Sequence, residues 1–172
     1  MAYYIGQAIG ILVTIGAIIN LQLKKKEHMY VLSIVVNILS ALNIFLLGQS
    51  VSGAVICLVA VVQILFSIWH DKKNTDITLI EKIIFLILYI AGGVLGYKSP
   101  VDLLSIVAAV FYMFAMCQKK EQNIRLFLMA NMSSWTVYHI IIGSTAVFAQ
   151  VAGIISSIIA MVRYRKKGDS DK

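Results

Sequence analysis

Long apolar runs alternate with short clusters of lysine and arginine along the chain. Seven runs approach the roughly 20 residues that a helix needs to cross a bilayer, within a range of about 17–25. They are 2–22, 30–47, 52–69, 79–97, 101–117, 124–142 and 147–163. Each is continuous rather than alternating and longer than a barrel strand, which argues against a β-barrel. The pattern predicts an all-α integral membrane protein of seven transmembrane helices forming one membrane domain over 1–172.

The polar segments give the orientation. Lys24, Lys25 and Lys26 follow the first run, Lys72 and Lys73 the third, and Lys119, Lys120 and Arg125 flank the fifth-to-sixth connection. Arg163, Arg165, Lys166, Lys167 and Lys172 close the chain, whereas the opposite side holds only Lys98. Basic loops stay in the cytoplasm, so the N-terminus is expected outside and the C-terminus inside. Tyr3, Tyr4 and Tyr97 at outer ends, and Tyr30, Trp69 and Tyr164 at inner ends, are placed as interfacial aromatics.

Composition sharpens this picture. The 172 residues are 60% hydrophobic and 13% charged, with mean hydropathy +0.88. A soluble chain is about a quarter charged, so this one lacks the polar cover a soluble domain needs. The net charge of +7 resides in the loop clusters, which fits anionic lipid and not nucleic acid. Cys57 and Cys117 have no metal-type spacing and read as packing residues. With no charged leader or small-residue cleavage site, the first run is expected to be a retained helix. His28 and His70, at cytoplasmic loop edges, read as solvated. No metal, phosphate-loop or catalytic constellation stands out, so neither a cofactor nor an enzymatic activity is expected.

Helix starts account for several charges. Thr78-Leu79-Ile80-Glu81 has the capping-box form, and Ser99-Pro100-Val101-Asp102 repeats it with the only proline at the first helical position. Asp102 reads as such a cap or, alternatively, as a proton or cation site.

Sliding the chain on itself by 95 residues aligns Lys24-Lys25 with Lys119-Lys120, Gly48 with Gly143, Ala54 with Ala149, Ile64 with Ile159 and Lys72 with Lys167. The order of basic loop, span, glycine turn, span and basic loop is kept. This predicts a three-plus-one-plus-three parallel repeat: a first triplet over 1–73, a linker helix over 79–97 and a second triplet over 100–167. In such architectures the substrate site lies between the repeats near the midplane. Chance similarity between apolar helices is the alternative.

No charged group falls near the centre of a predicted span. Ser33, Asn37, Ser40 and Asn43 share an arc of about 120° on the second helix. Asn131, Ser134, Trp135, Tyr138 and His139 share about 140° on the sixth. The third helix adds Gln63 and Ser67, and the seventh adds Gln150 and Ser157. Such residues are ordinary interhelical glue, each bond worth around 0.6 kcal/mol. As a set they suggest a pocket, because a mid-membrane tryptophan is out of its usual headgroup position. Its indole beside amides suits a flat polar solute. The expected substrate-binding residues are Asn37, Ser40, Gln63, Asn131, Trp135, Tyr138 and Ser157. His139 and Asp102 are the candidates for proton linkage, His139 having a packing role as its alternative.

Pro100-Val101-Asp102-Leu103-Leu104, Gly6-Gln7, Leu46-Leu47-Gly48, Trp135-x-x-Tyr138-His139 with Gly143-Ser144, and Arg163-Tyr164-Arg165 together resemble the YgjV-type bacterial inner-membrane proteins over nearly the whole chain. The chain departs from the expected pattern at Tyr138-His139, where Trp-x-x-His-Asn is expected, and at Val62-Gln63, where an arginine is expected. More distantly, the helix plan resembles the SWEET and PQ-loop carriers. That likeness implies a pocket lined from the second and third helices of each triplet, at Ser40, Gln63, Trp135 and Ser157. The Pro-Gln signature of those carriers is missing, since Gln7 follows Gly6.

Two functions are thus expected to compete. One is a small polar solute transporter or facilitator of the bacterial cytoplasmic membrane, alternating access around a neutral midplane pocket. The other is a non-transporting partner-binding, sensing or assembly protein. The expected partners are the lipid bilayer and a small-molecule solute, with room left for a homo-oligomer.

Overall fold

The computed structural model describes residues 2–46, 51–95, 97, 99–141 and 147–170. Among these, the chain is all-helical, with seven α-helices: α1 (Ala2–Gln22), α2 (Lys26–Leu46), α3 (Val51–Lys72), α4 (Leu79–Val94), α5 (Leu103–Met116), α6 (Glu121–Ile141) and α7 (Val147–Ser170). A 3-10 turn, Pro100–Asp102, leads into α5. α2 and α6 start before their apolar runs, and α3 and α7 continue beyond theirs. Hydropathy marks where lipid ends, whereas the backbone ladder continues as long as polar side chains can reach water. α4 stops at Val94, short of the expected 97.

Four described helical segments are long and apolar enough to cross a membrane: Tyr4–Gln22, Lys26–Leu46, Ala54–Lys72 and Val147–Tyr164. Pro100–Met116 is apolar but shorter. α4 has 16 residues. α6 has 21 but carries Glu121, Gln122, Asn123, Arg125, Asn131, Ser133 and Ser134, which dilute its apolar character.

Consecutive helices pack side by side from α1 to α7; α1 also packs on α7, and α3 on α5. Thr78 and Glu81 form the capping box that starts α4, with Thr78 N donating to Glu81 Oε2 at 2.6 Å and Glu81 N to Thr78 Oγ1 at 3.4 Å. α4 approaches α5 closely: a Cβ on Gly93 would stand 2.6 Å from Ile106 Cγ1. One core cluster gathers Leu21, Met29, Tyr30, Ile64, Met116, Ile124 and Leu128. A second joins Ala60, Phe85, Tyr89, Ala109 and Met113. Outward faces carry exposed Ile11, Leu42, Leu58, Ile87, Val107 and Ile158, the surface a helix bundle turns to lipid.

The basic connections meet at one end. Lys26 pairs with Asp71 at 2.8 Å, Lys119 with Asp76, and Tyr164 at the end of α7 donates to Gln22 O at 2.8 Å. Three expectations at this end change. His70 is buried, its ring nitrogens against Thr75 Oγ1 at 2.8 Å and Glu81 Oε1 at 3.3 Å, not solvated. Tyr30 is 1% exposed and points inward instead of joining an interfacial belt. Arg125, expected to flank a loop, is also buried at 1% exposure. A phenol and a guanidinium both find backbone carbonyls inside the bundle, and that outweighs the pull of the headgroup region. Trp69 remains exposed, with the Lys73 ammonium 4.0 Å over its ring.

Candidate functional site

A hollow of about 170 Å³ lies among α1, α2, α5, α6 and α7. α1 contributes Ala17, Asn20 and Leu21, and α2 contributes Ser33, Val36 and Asn37. Tyr112 comes from α5, Leu128, Asn131, Met132 and Trp135 from α6, and Gln150 from α7. The wall is therefore divided evenly between the first three helices and the last three, and no lining residue is an acid, lysine or arginine. Helical periodicity explains the arrangement. Ser33, Val36 and Asn37 follow the i, i+3, i+4 rule along one face of α2, as do Leu128, Asn131, Met132 and Trp135 on α6.

The asparagines here bond to the protein through their amide nitrogens. Asn20 Nδ2 donates to Ser33 Oγ at 2.8 Å. Asn37 Nδ2 donates to Ser33 O at 2.8 Å and Tyr112 Oη at 2.7 Å. Asn131 Nδ2 donates to Ala108 O at 2.7 Å. Asn20 is 7% exposed, and its buried Oδ1 has no partner among the described residues. The Trp135 ring meets Tyr138 edge-on at 5.4 Å between centroids.

Of the residues expected to bind substrate, Asn37, Asn131 and Trp135 come together on this wall. Ser40 stands one turn beyond Val36 and returns its hydroxyl to Val36 O at 2.8 Å. Tyr138 reaches Asp102 Oδ1 at 3.5 Å. Asp102 also caps its own turn, its Oδ2 accepting from Ser99 N at 2.7 Å. The His139 side chain lies outside the described residues. Gln63 is placed elsewhere, on the α3–α4–α5 seam. There its Nε2 donates to Met113 O at 2.8 Å and its Oε1 accepts from Tyr89 Oη at 2.9 Å. Ser157 is fully buried on α7 and donates to Arg125 O at 3.2 Å.

Asn20 and Tyr112 join the wall without having been expected there, and Gln150 joins it from the polar set of the seventh helix. Asn20 and Tyr112 each stand near the basic end of an apolar helix, where polar residues pass for interface. Only their depth against the neighbouring helix reveals them.

Below the hollow are two clasps. Tyr30 Oη on α2 donates to Met116 O at 2.9 Å, with Gln118 O at 3.5 Å, at the end of α5. Arg125 on α6 donates from Nε to Leu21 O at 3.1 Å and from Nη2 to Leu23 O, at the end of α1. Tyr30 and Arg125 stand 95 residues apart, as do Leu21 and Met116, and Leu23 and Gln118. The Arg125 guanidinium also lies 4.8 Å from the Tyr164 ring. Beyond Tyr30, a larger cleft of about 730 Å³ opens among the basic loops, lined by Lys25, Lys26, Asp71, Lys119 and Glu121 among others.

Residues 4–168 match the family Imp-YgjV, described as bacterial inner membrane protein. The chain belongs to that family. Its place is therefore the bacterial inner membrane, in agreement with its apolar helices. No curated protein and no solved structure matches. The likeness to SWEET and PQ-loop carriers is not shown, whereas the YgjV family accounts for nearly the whole chain.

Proposed function

We propose that this YgjV-family protein is a facilitator for a small polar solute, crossing the inner membrane seven times with its basic end in the cytoplasm. Its two triplets, α1–α3 and α5–α7, are parallel repeats joined by α4, and they rock about the hollow between them. The hollow carries this reading: an uncharged, half-open space lined from both triplets, with three asparagines, a glutamine and a tryptophan set in a mainly apolar wall. Neutral polar groups exchange a solute's hydration for protein hydrogen bonds without a permanent buried charge.

The contacts support the repeat. α2 and α6 are displaced by the same 95 residues at both ends. The Tyr30 and Arg125 clasps exchange under that displacement, and so do the α1–α7 and α3–α5 contacts. A pseudo-twofold axis along the membrane normal generates both pairs, which is the symmetry of parallel repeats. In this reading the clasps are the inner gate, closing the hollow off from the basic cleft.

The test is uptake of labelled neutral metabolites into proteoliposomes, wild type against Trp135→Ala. Saturable uptake lost in the variant is expected. Equally negligible flux across a broad panel would sink the carrier and favour the partner-binding or assembly role.

A further inference from the structure

We propose that Gln22 latches the one face of the bundle that parts, between α1 and α7, and that the α3–α4–α5 seam is the hinge on which the triplets turn. This inference rests on the carrier reading only for what the parting serves. The triplets pack together in two places, α1 on α7 and α3 on α5, and the two are built differently. Across the second, α4 packs on both partners, and among the described residues no helix straps α1 to α7 in that way. The seam is also tightly buried. Ala60, Phe85, Tyr89, Ala109 and Met113 form one core cluster, and Gln63 is spent inside it on Met113 O and Tyr89 Oη. Pulling the seam apart would strand those polar groups in an apolar interior and forfeit its packing.

α1 and α7 are joined instead by polar contacts gathered at their basic end, and most converge on one residue. Gln22 Nε2 donates to Ser156 O at 2.8 Å and to Ser156 Oγ at 2.7 Å. Its Oε1 accepts from Arg163 Nη1 at 3.3 Å, and its backbone oxygen accepts from Tyr164 Oη at 2.8 Å. Gln22 is half-buried and Arg163 exposed, so water can take over these bonds when the helices separate. The counterpart 95 places on is Cys117, a weaker hydrogen-bonding group that meets Gln63 at 3.4 Å. The latch therefore belongs to one side alone. The hollow lies on that side: its wall includes Ala17, Asn20 and Leu21 of α1 and Gln150 of α7, and among the described residues takes nothing from α3 or α4. Parting α1 from α7 opens the hollow. The Arg125 bonds to Leu21 O and Leu23 O end on the same stretch of α1 and are released with the latch.

Spin-label distances measured by double electron–electron resonance on the full chain in nanodiscs test this. In a Cys57→Ala/Cys117→Ala background, one pair of labels sits on Ile19→Cys and Ile159→Cys, across α1 and α7. A second sits on Leu65→Cys and Phe114→Cys, across α3 and α5; all four positions are exposed. Gln22→Met keeps the length of the side chain and removes its bonds. It should raise, about tenfold, an α1–α7 population longer by roughly 5 Å, while the α3–α5 distance stays within the about 1–2 Å of a helix shift. Ser156→Ala, which leaves Ser156 O for Gln22, should raise that population less than about threefold. An α1–α7 distance unchanged by Gln22→Met, or an α3–α5 distance that lengthens as much, overturns the inference. Parting of α1 from α7 without saturable uptake in proteoliposomes sinks the carrier reading instead, and leaves latch and hinge standing.

Discussion

The α3–α4–α5 seam and the hollow among α1, α2, α5, α6 and α7 are built from the same chemistry, a carboxamide inside an apolar bundle, used in opposite ways. At the seam, Gln63 is completely buried and satisfied at both ends, by Met113 O and the Tyr89 hydroxyl. In the hollow, the asparagines bond through nitrogen, and the Asn20 oxygen is buried with no partner among the described residues. A satisfied amide holds helices together, and a half-satisfied one beside a void is prepared for something else. Polar residues in a membrane bundle therefore sort by whether their lone pairs are used, more than by their depth in the span.

The largest effect should come from the seam. Gln63→Leu strands the Tyr89 hydroxyl and the Met113 carbonyl in a dry interface, at about 2–3 kcal/mol. Reversible unfolding in mixed micelles should register that loss, and a change under about 0.5 kcal/mol would erase the distinction between the two regions. Next comes Tyr30→Phe, which takes one of two donors from Met116 O, Ser67 Oγ keeping the other at 2.8 Å, and leaves the ring packed, for about 1 kcal/mol. If the clasps are the inner gate, cysteine labelling of the hollow from the cytoplasmic side should speed up in this variant. An unchanged labelling rate would reduce the clasp to packing.

Asn131→Leu should do the reverse of Gln63→Leu. One bond to Ala108 O is lost, for around 0.6 kcal/mol, while solute binding or uptake falls about tenfold. Gly153→Ala acts on the same space from behind. Its Cβ would stand 2.6 Å from the Met132 Sδ, and Met132 lines the hollow. A flexible thioether yields cheaply, so the expected outcome is near-normal stability with weaker binding. Stability lost without any change in binding would mean that Met132 moves away from the hollow.

Much of this was legible in the chain. Continuous apolar runs place the helices, and the polar stripes on α2 and α6 place Asn37, Asn131 and Trp135 on one wall. The capping boxes at Thr78 and Ser99 follow from local spacing alone. The destination of residues at the basic end is not local. Arg125 sits four residues from the α6 start like any loop cation, and only the ending of α1 beside it, with its free carbonyls, draws it inward. Gln63 and Asn131 are indistinguishable as mid-span amides until their neighbours are known. Tyr89 and Met113, 26 and 50 residues away from Gln63, decide that one is glue.

The exposed ion pair between Lys119 and Asp76 gives the comparison its lower limit. Both side chains are largely in water, at 57% and 79% exposure, where screening leaves such pairs little net worth. The Lys119 hydrogen bond and charge hold the Asp76 carboxyl below its ordinary range. Its folded value is thus depressed relative to the unfolded chain. The stabilisation is present above the usual carboxylate pKa, near about 3.9, and is lost as pH falls through the lower folded value. Asp76→Asn should therefore flatten a shallow acid-side slope in thermal midpoint, and added salt should do the same to wild type. Gln63→Leu, by contrast, should cost as much at high salt as at low, because no net charge is involved. A salt-sensitive loss at Gln63 would mean that the seam is wet, and with that the contrast between the seam and the hollow would fail.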